Sequence, residues 1–311
     1  MQATPYHPGE RAVQLRAGAL DRADHSGRAI GATIPPVAAR FLTERHTLVI
    51  AAADPRGRLW ATQLSGPQGF LRAADNHTLA VAARPAPDDP LAAVLDAPAE
   101  VGTIALDPAG RRRMRLNGRA TPDGRGGLTI AAAQVYANCP KYIQRRSPRD
   151  APGPPGTAAQ ARPAARGTGL TALQQLTAAT ADTFFVATRG PDGRVDASHR
   201  GGNPGFLAVL GPDRLRWPDY PGNSMFMTLG NLELDPSAGL LLPDWETGAA
   251  LLLTGRARTD WTGTTRTVDF TVTETVELFP AAPLTWTAPE YSAANPPVTL
   301  PVPVPADRPS D

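Results

Sequence analysis

Short apolar runs separated by turn residues recur along the chain and predict β-strands. Residues 48–53 (LVIAAA) and 184–188 (FFVAT) each precede a turn, DPRG or GPDG, in which Pro and Gly supply the required backbone angles. Runs of the same kind lie at 59–64, 101–106, 112–120, 195–200, 239–242 and 249–257, and further strands begin near Leu79 and Leu215. About five or six short strands in each half predict a small antiparallel barrel.

Helices are predicted at three places between these strands. Residues 90–97 (PLAAVLDA) begin with Pro90, a residue favoured in the first helical turn, and their counterpart lies near 225–232. Residues 170–181 (LTALQQLTAATA) have the apolar spacing of an amphipathic helix.

The chain aligns with itself, which indicates two copies of one unit. Residues 48–71 align with 184–207 without a gap, and 107–120 align with 244–257 after one added residue. The matched positions include Gly57 and Gly193, Gly66 and Gly202, Gly69 and Gly205, and Gly102 and Gly239. Shared glycines in a fixed order indicate shared turns and close backbone approaches. We therefore predict a tandem duplicated antiparallel β fold.

Composition defines the boundaries of the two units. Residues 147–169 are rich in Pro, Gly and Ala without periodicity, which predicts a linker. The first unit then spans 1–146 with an N-terminal extension, and the second spans 170–294. Residues 295–311 form a Pro-rich tail that we expect to be extended or disordered.

Charge and cysteine content restrict the function classes. The chain has 311 residues and a net charge of +2, which favours neither a nucleic-acid nor a membrane partner. Its single cysteine, Cys139, excludes an internal disulfide and a Cys-rich metal site. The sequence contains neither an apolar run of about 18 residues nor a signal-peptide pattern. We expect a cytoplasmic protein.

The two units differ most at the end of their second strand. The first unit reads TQLS at 62–65, whereas the second has Ser198, His199, Arg200, Gly201 and Gly202. Arginine grips phosphate with two parallel hydrogen bonds, and glycine lets backbone N–H groups approach an anion. This set predicts an anion-binding cradle; the alternative is a surface hairpin with ordinary polar residues.

A second cluster lies in WPDYPGNSMFMTLGN at 217–231. It places polar groups among aromatic and methionine side chains, and its members are Tyr220, Asn223, Ser224, Met225, Thr228 and Asn231. Such a mixture suits a flat heteroaromatic ligand. The alternative is a loop followed by a packed helix.

A third cluster closes the first unit at 134–146 and contains Lys141, Tyr142 and Arg145. A helix would place Lys141 and Arg145 on one face, where they could reach an anionic cofactor or cap the other unit. Because no histidine flanks Cys139, we expect this thiol to pack rather than to act as a nucleophile.

Arg111, Arg113 and Arg115 alternate and therefore share one face of a predicted strand. We predict that this face is solvated, since the near-neutral chain gives little support to RNA binding.

Several catalytic motifs are missing from the sequence. It contains no GxGxxG with a following acidic residue, no GxxxxGK[ST], no HExxH and no GxSxG, and its five histidines are dispersed. These absences argue against a dinucleotide-binding Rossmann unit, a P-loop, a zinc protease and a serine hydrolase.

Three strings carry a family resemblance: NCPKYIQRR (138–146), DASHRGGNPGF (196–206) and WPDYPGNSMFMTLGNL (217–232). They resemble the pyridoxamine 5′-phosphate oxidase-like, FMN-binding split-barrel superfamily, in a tandem-barrel branch. The likeness covers roughly residues 40–146 and 170–260. It implies a mainly β fold with a few helices, built from two six-stranded split barrels that bind FMN at their interface.

The resemblance also implies which residues hold the cofactor. These are Ser198, His199, Arg200, Gly201, Gly202, Tyr220, Asn223, Ser224, Met225, Thr228 and Asn231, with Lys141 and Tyr142 from the first unit. His199 is the candidate acid or base, because the ordinary pKa of histidine lies near neutrality. No metal ligands are expected.

The implied function is an FMN-dependent oxidoreductase with a small-molecule substrate and an electron donor such as NAD(P)H or a reductase. Pyridoxamine phosphate is not the expected substrate, because the oxidase has an Arg-rich C-terminal segment where this chain has a Pro-rich tail. Deazaflavin and haem remain alternative cofactors, and a non-catalytic flavin- or haem-binding protein remains an alternative function. The barrels would pair within one chain or in a homodimer.

Overall fold

The computed structural model describes residues 5–137, 139–149, 162–263, 265–279 and 284–298. It contains two antiparallel sheets, one in each half of the chain. The strands of the first half are β1 (Thr47–Ala53), β2 (Leu59–Ser65), β3 (Leu71–Ala73), β4 (Thr78–Val81), β5 (Ala99–Asp107), β6 (Arg112–Pro122) and β7 (Leu128–Ala137). Those of the second half are β8 (Arg162–Gly167), β9 (Thr183–Arg189), β10 (Val195–Gly201), β11 (Ala208–Gly211), β12 (Arg214–Pro218), β13 (Ser237–Pro243), β14 (Ala250–Asp260) and β15 (Thr267–Phe279).

The two sheets have the same order of strands. The first runs β2-β1-β5-β6-β7-β4-β3, and the second runs β10-β9-β13-β14-β15-β12-β11, with each strand replaced by its counterpart. The predicted mainly β class with antiparallel sheets is confirmed. The first sheet has seven strands where six were expected, because the chain after β2 forms the short strand β3 against β4.

One strand lies inside the predicted linker. Residues 162–167 form β8, which pairs antiparallel with β15. The backbone groups of an exposed sheet edge can bind a strand of almost any composition, so side-chain pattern alone did not indicate β8. The linker residues 150–161 and the tail residues 299–311 lie outside the described residues.

The described α-helices are α1 (Pro8–Arg16), α2 (Leu20–Gly27), α3 (Pro36–Thr43), α4 (Ala172–Thr180) and α5 (Met227–Leu234). Helix α4 begins at a capping box formed by Thr171 and Gln174. Helices α4 and α5 match the predictions for 170–181 and 225–232. Residues 90–97 contain only a 3₁₀ turn, at Val94–Asp96, rather than a helix.

Neighbouring residues of β9 face two different cores. Phe184 packs with Trp217 and Phe270 in the core of the second sheet. Phe185 packs instead in a core that also contains Trp60 of the first sheet. This follows from the alternation of side chains along a strand. The two repeats are therefore joined by a shared hydrophobic core.

Two aligned glycines make reciprocal contacts between the repeats. A Cβ added to Gly102 of β5 would stand 2.6 Å from Asp196 Cα of β10. A Cβ added to Gly239 of β13 would stand 2.5 Å from the Leu59 carbonyl oxygen and 3.0 Å from Trp60 Cα, both in β2. Gly239 aligns with Gly102 and Asp196 aligns with Trp60. The repeats thus meet as the halves of a twofold-related pair would.

The segment that closes the first repeat is extended rather than helical. Within residues 139–149, Arg145 and Pro148 form isolated bridges with Glu290 and Trp286. The prediction that Lys141 and Arg145 share a helix face is therefore wrong, because the segment hydrogen-bonds to residues 284–298 instead of to its own backbone.

The same segment is anchored to the second repeat. Arg146 forms a buried salt bridge with Asp182 at 2.6 Å. Gln144 Oε1 accepts a hydrogen bond from Asn295 Nδ2 at 3.0 Å, so the predicted tail begins with a residue that contacts the barrels.

Candidate functional site

A cavity of about 110 Å³ lies where the two repeats meet. Its walls come from β10, from the loop and helix at 218–229, from β6 of the first repeat and from the closing segment at 139–142. The predicted site residues that line it are Tyr142, Ser198, His199, Arg200, Gly201, Tyr220, Asn223, Ser224, Met225 and Thr228. Most of the predicted set is therefore brought together in one place, with Tyr142 contributed by the first repeat.

Three predicted residues do not line this cavity. Lys141 is exposed. Gly202 packs beneath the ring of Phe206, where an added Cβ would stand 2.5 Å from the ring. Asn231 donates from Nδ2 to Thr188 Oγ1 at 2.9 Å and borders a second, smaller pocket.

Two arginines of β6 line the cavity, contrary to the prediction of a solvated arginine face. Arg115 is buried, and the Nε of Arg113 is buried although part of its side chain is accessible. Arg112, which points to the other face, is exposed. The prediction was wrong because β10 of the second repeat covers this face of β6.

Positive charge in the cavity exceeds negative charge. Arg115 forms a buried salt bridge with Asp196 and donates to Ser198 Oγ at 2.6 Å. Within the described residues, neither Arg113 nor Arg200 forms a salt bridge. Burial, with Arg115 and Arg200 nearby, lowers the pKa of Arg113 to about 9. A buried positive cluster of this kind is stabilised by an anion.

Several buried donors at the cavity have no hydrogen-bond partner among the described residues. They are the Nε atoms of Arg113, Arg115 and Arg200 and the Nε2 atom of His199. Buried polar groups are normally paired, so a cluster of unpaired donors calls for an acceptor that the protein does not supply.

His199 is held in one protonation state by its neighbours. Its Nδ1 lies 2.8 Å from Nη1 of Arg113, a group that can only donate, so Nδ1 accepts and the proton is on Nε2. Burial, followed by the charges of Arg113 and Arg200, lowers the pKa of His199 well below 6.5. The expectation that His199 titrates near neutrality is therefore wrong, because the ring is desolvated beside two guanidinium groups.

Backbone strain is concentrated at the cavity. Tyr142, Ser224 and Phe226 have φ values of 66°, 62° and 56°, a left-handed conformation that side chains rarely adopt. All three line the cavity. Strained residues of this kind persist where the surrounding structure holds them, and they cluster at functional sites.

The closing segment fits tightly against the second repeat. The Tyr142 hydroxyl donates to the Pro221 carbonyl at 2.8 Å, and its ring centroid lies 5.2 Å from that of Tyr220. A Cβ added to Gly201 would stand 2.0 Å from the Tyr142 carbonyl oxygen. Gly201 therefore allows the close approach of the first repeat. Cys139 is half-buried and also lines the cavity.

Comparison with known proteins gives structural matches alone. No protein-family model matches the chain, and no curated protein sequence is significantly similar to it. Similar solved structures include an FMN-binding protein from Syntrophomonas wolfei, with 10% identity, a TM-score of 0.28 and coverage of 33% of this chain and 81% of that chain. A FAD-binding protein from Mesorhizobium loti has 10% identity, a TM-score of 0.26 and coverage of 37% and 97%.

A third similar structure, from Clostridium acetobutylicum, is a protein related to general stress protein 26 of the pyridoxinephosphate oxidase family. It has 13% identity, a TM-score of 0.23 and coverage of 29% of this chain and 75% of that chain. Flavin-binding and pyridoxamine 5′-phosphate oxidase-like proteins are thus among the similar structures.

The place that matches the cavity on the other side of the pair, between β2 and β14, has a different character. Trp60 occupies the position of Asp196, and Leu252 occupies that of Arg115. Both side chains are fully buried in the shared core. Thr62, the counterpart of Ser198, is bonded to the buried Asp89. The arginine cluster thus occurs on one side of the pair, while the other side is packed with apolar residues.

Within the described ranges, no group of three or more His, Cys, Asp or Glu side chains is placed to hold a metal ion. No helix in the same ranges is long and apolar enough to span a membrane.

Proposed function

We propose that the cavity binds the phosphate group of FMN and that the chain is a flavin-dependent oxidoreductase. The observation that carries the proposal is the buried arginine cluster, in which Arg113 and Arg200 have no carboxylate partner among the described residues. Arginine recognises phosphate through charge-assisted hydrogen bonds. The sequence resemblance supplies flavin as the molecule that carries the phosphate.

The residues present fit the anionic part of FMN. The unpaired Nε atoms and the hydroxyl of Ser224 would hold the phosphate, while the Thr228 hydroxyl donates to Ser198 Oγ at 2.9 Å. The cavity of about 110 Å³ is smaller than the roughly 300–1,000 Å³ of most small-molecule sites. The remainder of the flavin therefore needs space beyond this cavity.

The bound isoalloxazine ring would supply the redox chemistry. The protein would bind and orient the cofactor and exclude water from the cavity. His199 would donate a hydrogen bond from Nε2 without changing its protonation state. Because Nε2 carries the proton and Nδ1 accepts from Arg113, neither ring nitrogen of His199 is free to ligate a metal ion.

Titration with FMN tests the binding proposal. We expect saturable quenching of flavin fluorescence and a visible flavin spectrum after removal of free ligand. Arg113→Ala and Arg200→Ala should each weaken FMN binding by about tenfold or more, as expected for loss of a charged hydrogen bond. Arg119→Ala is the matched control, because Arg119 lies on β6 but forms an exposed pair with Glu100.

Riboflavin, which lacks the phosphate, should bind at least about tenfold more weakly than FMN. Equal affinity for the two flavins, or unchanged FMN affinity in both arginine variants, would remove phosphate recognition from this cavity. Titration with a deazaflavin under the same conditions tests that alternative cofactor.

The neutral state of His199 favours a second candidate, a flavin-binding protein without a protein acid or base. Anaerobic mixing of the FMN-loaded protein with NADH or NADPH separates the two candidates. Bleaching of the flavin spectrum followed by reoxidation with an added acceptor supports an oxidoreductase. Absence of reduction by either nucleotide, and by a flavin reductase, supports the binding protein.

A further inference from the structure

A groove of about 840 Å³ lies beside the cavity between the repeats. It is formed by α3 and the residues before it, together with the ends of β6 and β7. Arg113 lines both the groove and the cavity. We propose that this groove binds a second small molecule, an apolar organic acid that carries one negative charge.

The size and the walls of the groove suit a small organic molecule. Its volume lies within the roughly 300–1,000 Å³ that is usual for such sites. Val37, Ala38, Phe41, Met114 and Val135 provide apolar walls. Val37 is 76% exposed, so its side chain is left without packing partners where a ligand would cover it.

The charges of the groove select an anion. The carboxylate that lines the groove, Glu44, is already paired with Arg45. Arg111 is paired with Glu290 and Arg112 with Asp107.

Two guanidinium groups of the groove are left without a salt bridge among the described residues, those of Arg40 and Arg113. An acid group that reaches either of them would gain charge-assisted hydrogen bonds. A cationic molecule would meet net positive charge, so the groove discriminates against it.

Local strain supports a ligand site here as well. Arg111, at the groove, has φ of 49°. Its side chain is fixed by donation from Nε to the Ile143 carbonyl at 3.1 Å and from Nη2 to the Glu290 carbonyl at 3.1 Å. The four described non-glycine residues with positive φ all line the groove or the cavity.

The position of the groove gives its ligand a role, and this role rests on the proposed function. A molecule in the groove and an anion in the cavity would both contact Arg113. The groove ligand is then the organic co-substrate of the flavin. The binding site itself stands on the groove geometry and charge, and it is tested separately.

The probe is 8-anilinonaphthalene-1-sulfonate, a fluorescent apolar monoanion. We expect one bound probe per chain, with enhanced and blue-shifted emission. The uncharged N-phenyl-1-naphthylamine, which has the same ring systems without the sulfonate, should bind at least about tenfold more weakly, because it cannot pair with the guanidinium groups.

Two surface substitutions locate the probe. Val37→Glu and Arg40→Glu change exposed residues of α3 and should each weaken probe binding by about tenfold or more. Leu15→Glu and Arg22→Glu are the matched controls, since both residues are exposed on other helices and do not line the groove. Circular dichroism checks that every variant is folded.

The outcomes separate this proposal from the flavin proposal. Unchanged probe affinity in both α3 variants, equal affinity for the uncharged probe, or no binding of the anionic probe would overturn the groove site. FMN titration of the same variants should give wild-type affinity. A protein that binds the probe in the groove but never binds FMN would overturn the flavin proposal and leave the groove site standing.

Discussion

Arg113 of the first repeat donates a hydrogen bond from Nη1 to Nδ1 of His199 in the second repeat, across 2.8 Å. A guanidinium group has no acceptor, so this contact fixes the histidine tautomer. It also places a positive charge against a ring that would otherwise be able to take up a proton. The contact therefore joins the two repeats and sets the electrostatics of the cavity.

We predict that His199 remains neutral in the folded protein between pH 8 and 5.5. Burial and two arginines lower its pKa well below 6.5. The Cε1–H signal of His199 in an NMR titration should not shift over this range. A midpoint at or above pH 6.5 would contradict the described surroundings of the ring.

The lowered pKa of His199 also makes the free energy of unfolding depend on pH. Below pH 6.5 the unfolded chain protonates His199 and the folded chain does not, so the free energy of unfolding falls as the pH falls. This contribution is at most about 1.4 kcal/mol per pH unit. His199→Gln should flatten the acid limb of stability measured by urea denaturation. His7, whose pKa burial also lowers, should retain part of the slope.

Glu10 should give the opposite dependence. Burial raises the pKa of this carboxyl from 4.5 to about 8. Between these values the folded chain holds a proton that the unfolded chain releases, so stability is highest below pH 4.5 and is lost as the pH rises through 8.

We predict that Glu10→Gln gains stability relative to the wild type between pH 5 and 9, by at least about 1 kcal/mol. Urea denaturation at both pH values measures the change. Glu100→Gln, at a more exposed position, is the control for removal of a carboxylate. A constant difference between Glu10→Gln and the wild type across this range would show that Glu10 titrates normally.

The salt bridge between Arg115 and Asp196 should be costly to break. Both side chains are buried, so Asp196→Ala leaves an unpaired guanidinium group in the interior. We expect a loss of about 3–5 kcal/mol in the free energy of unfolding. Glu100→Ala breaks the exposed pair with Arg119 on the same strand as Arg115 and should cost less than about 1 kcal/mol. Similar losses in the two variants would contradict the burial of Asp196.

Gly102→Ala and Gly239→Ala should each destabilise the protein. The added Cβ would meet backbone atoms of the other repeat at 2.6 Å and 2.5 Å, and backbone yields less readily than a side chain. We expect losses of about 1–3 kcal/mol, the usual range for overpacking. Gly211→Ala is the control, because its nearest neighbour is a side-chain atom at 3.7 Å. Losses no larger than that of the control would contradict the contact of the repeats at these glycines.

The strands of both sheets could be predicted from the sequence because the patterns that indicate them are local. Alternating apolar residues and turn glycines lie within each strand and hairpin, and Gly102 and Gly239 align in the sequence itself. The burial of Arg113 and Arg115 could not be predicted, because it depends on β10, which comes from the other repeat. One available signal was that their counterparts, Ala250 and Leu252, are apolar.

The state of His199 was missed for the same reason. Its sequence neighbours include Arg200, but the group that fixes its tautomer is Arg113, which lies far away in the chain. The helices of the N-terminal extension were not predicted either. Helix α1 depends on contacts with α5 and with the loop before it: a Cβ added to Gly9 would stand 2.3 Å from the Gly230 carbonyl oxygen of α5, and Gln14 Nε2 donates to the Met225 carbonyl of the loop at 2.9 Å.

The reciprocal glycine contacts have a consequence for how such a molecule can change. In an assembly of two identical chains, each substitution appears twice, and both halves of the interface must tolerate it. Here the halves are covalently joined, so Asp196 and Trp60 can differ although they occupy matching positions. The two halves of a single polypeptide can therefore have different roles. The apolar half holds the barrels together, and the charged half can change its chemistry without loss of that contact.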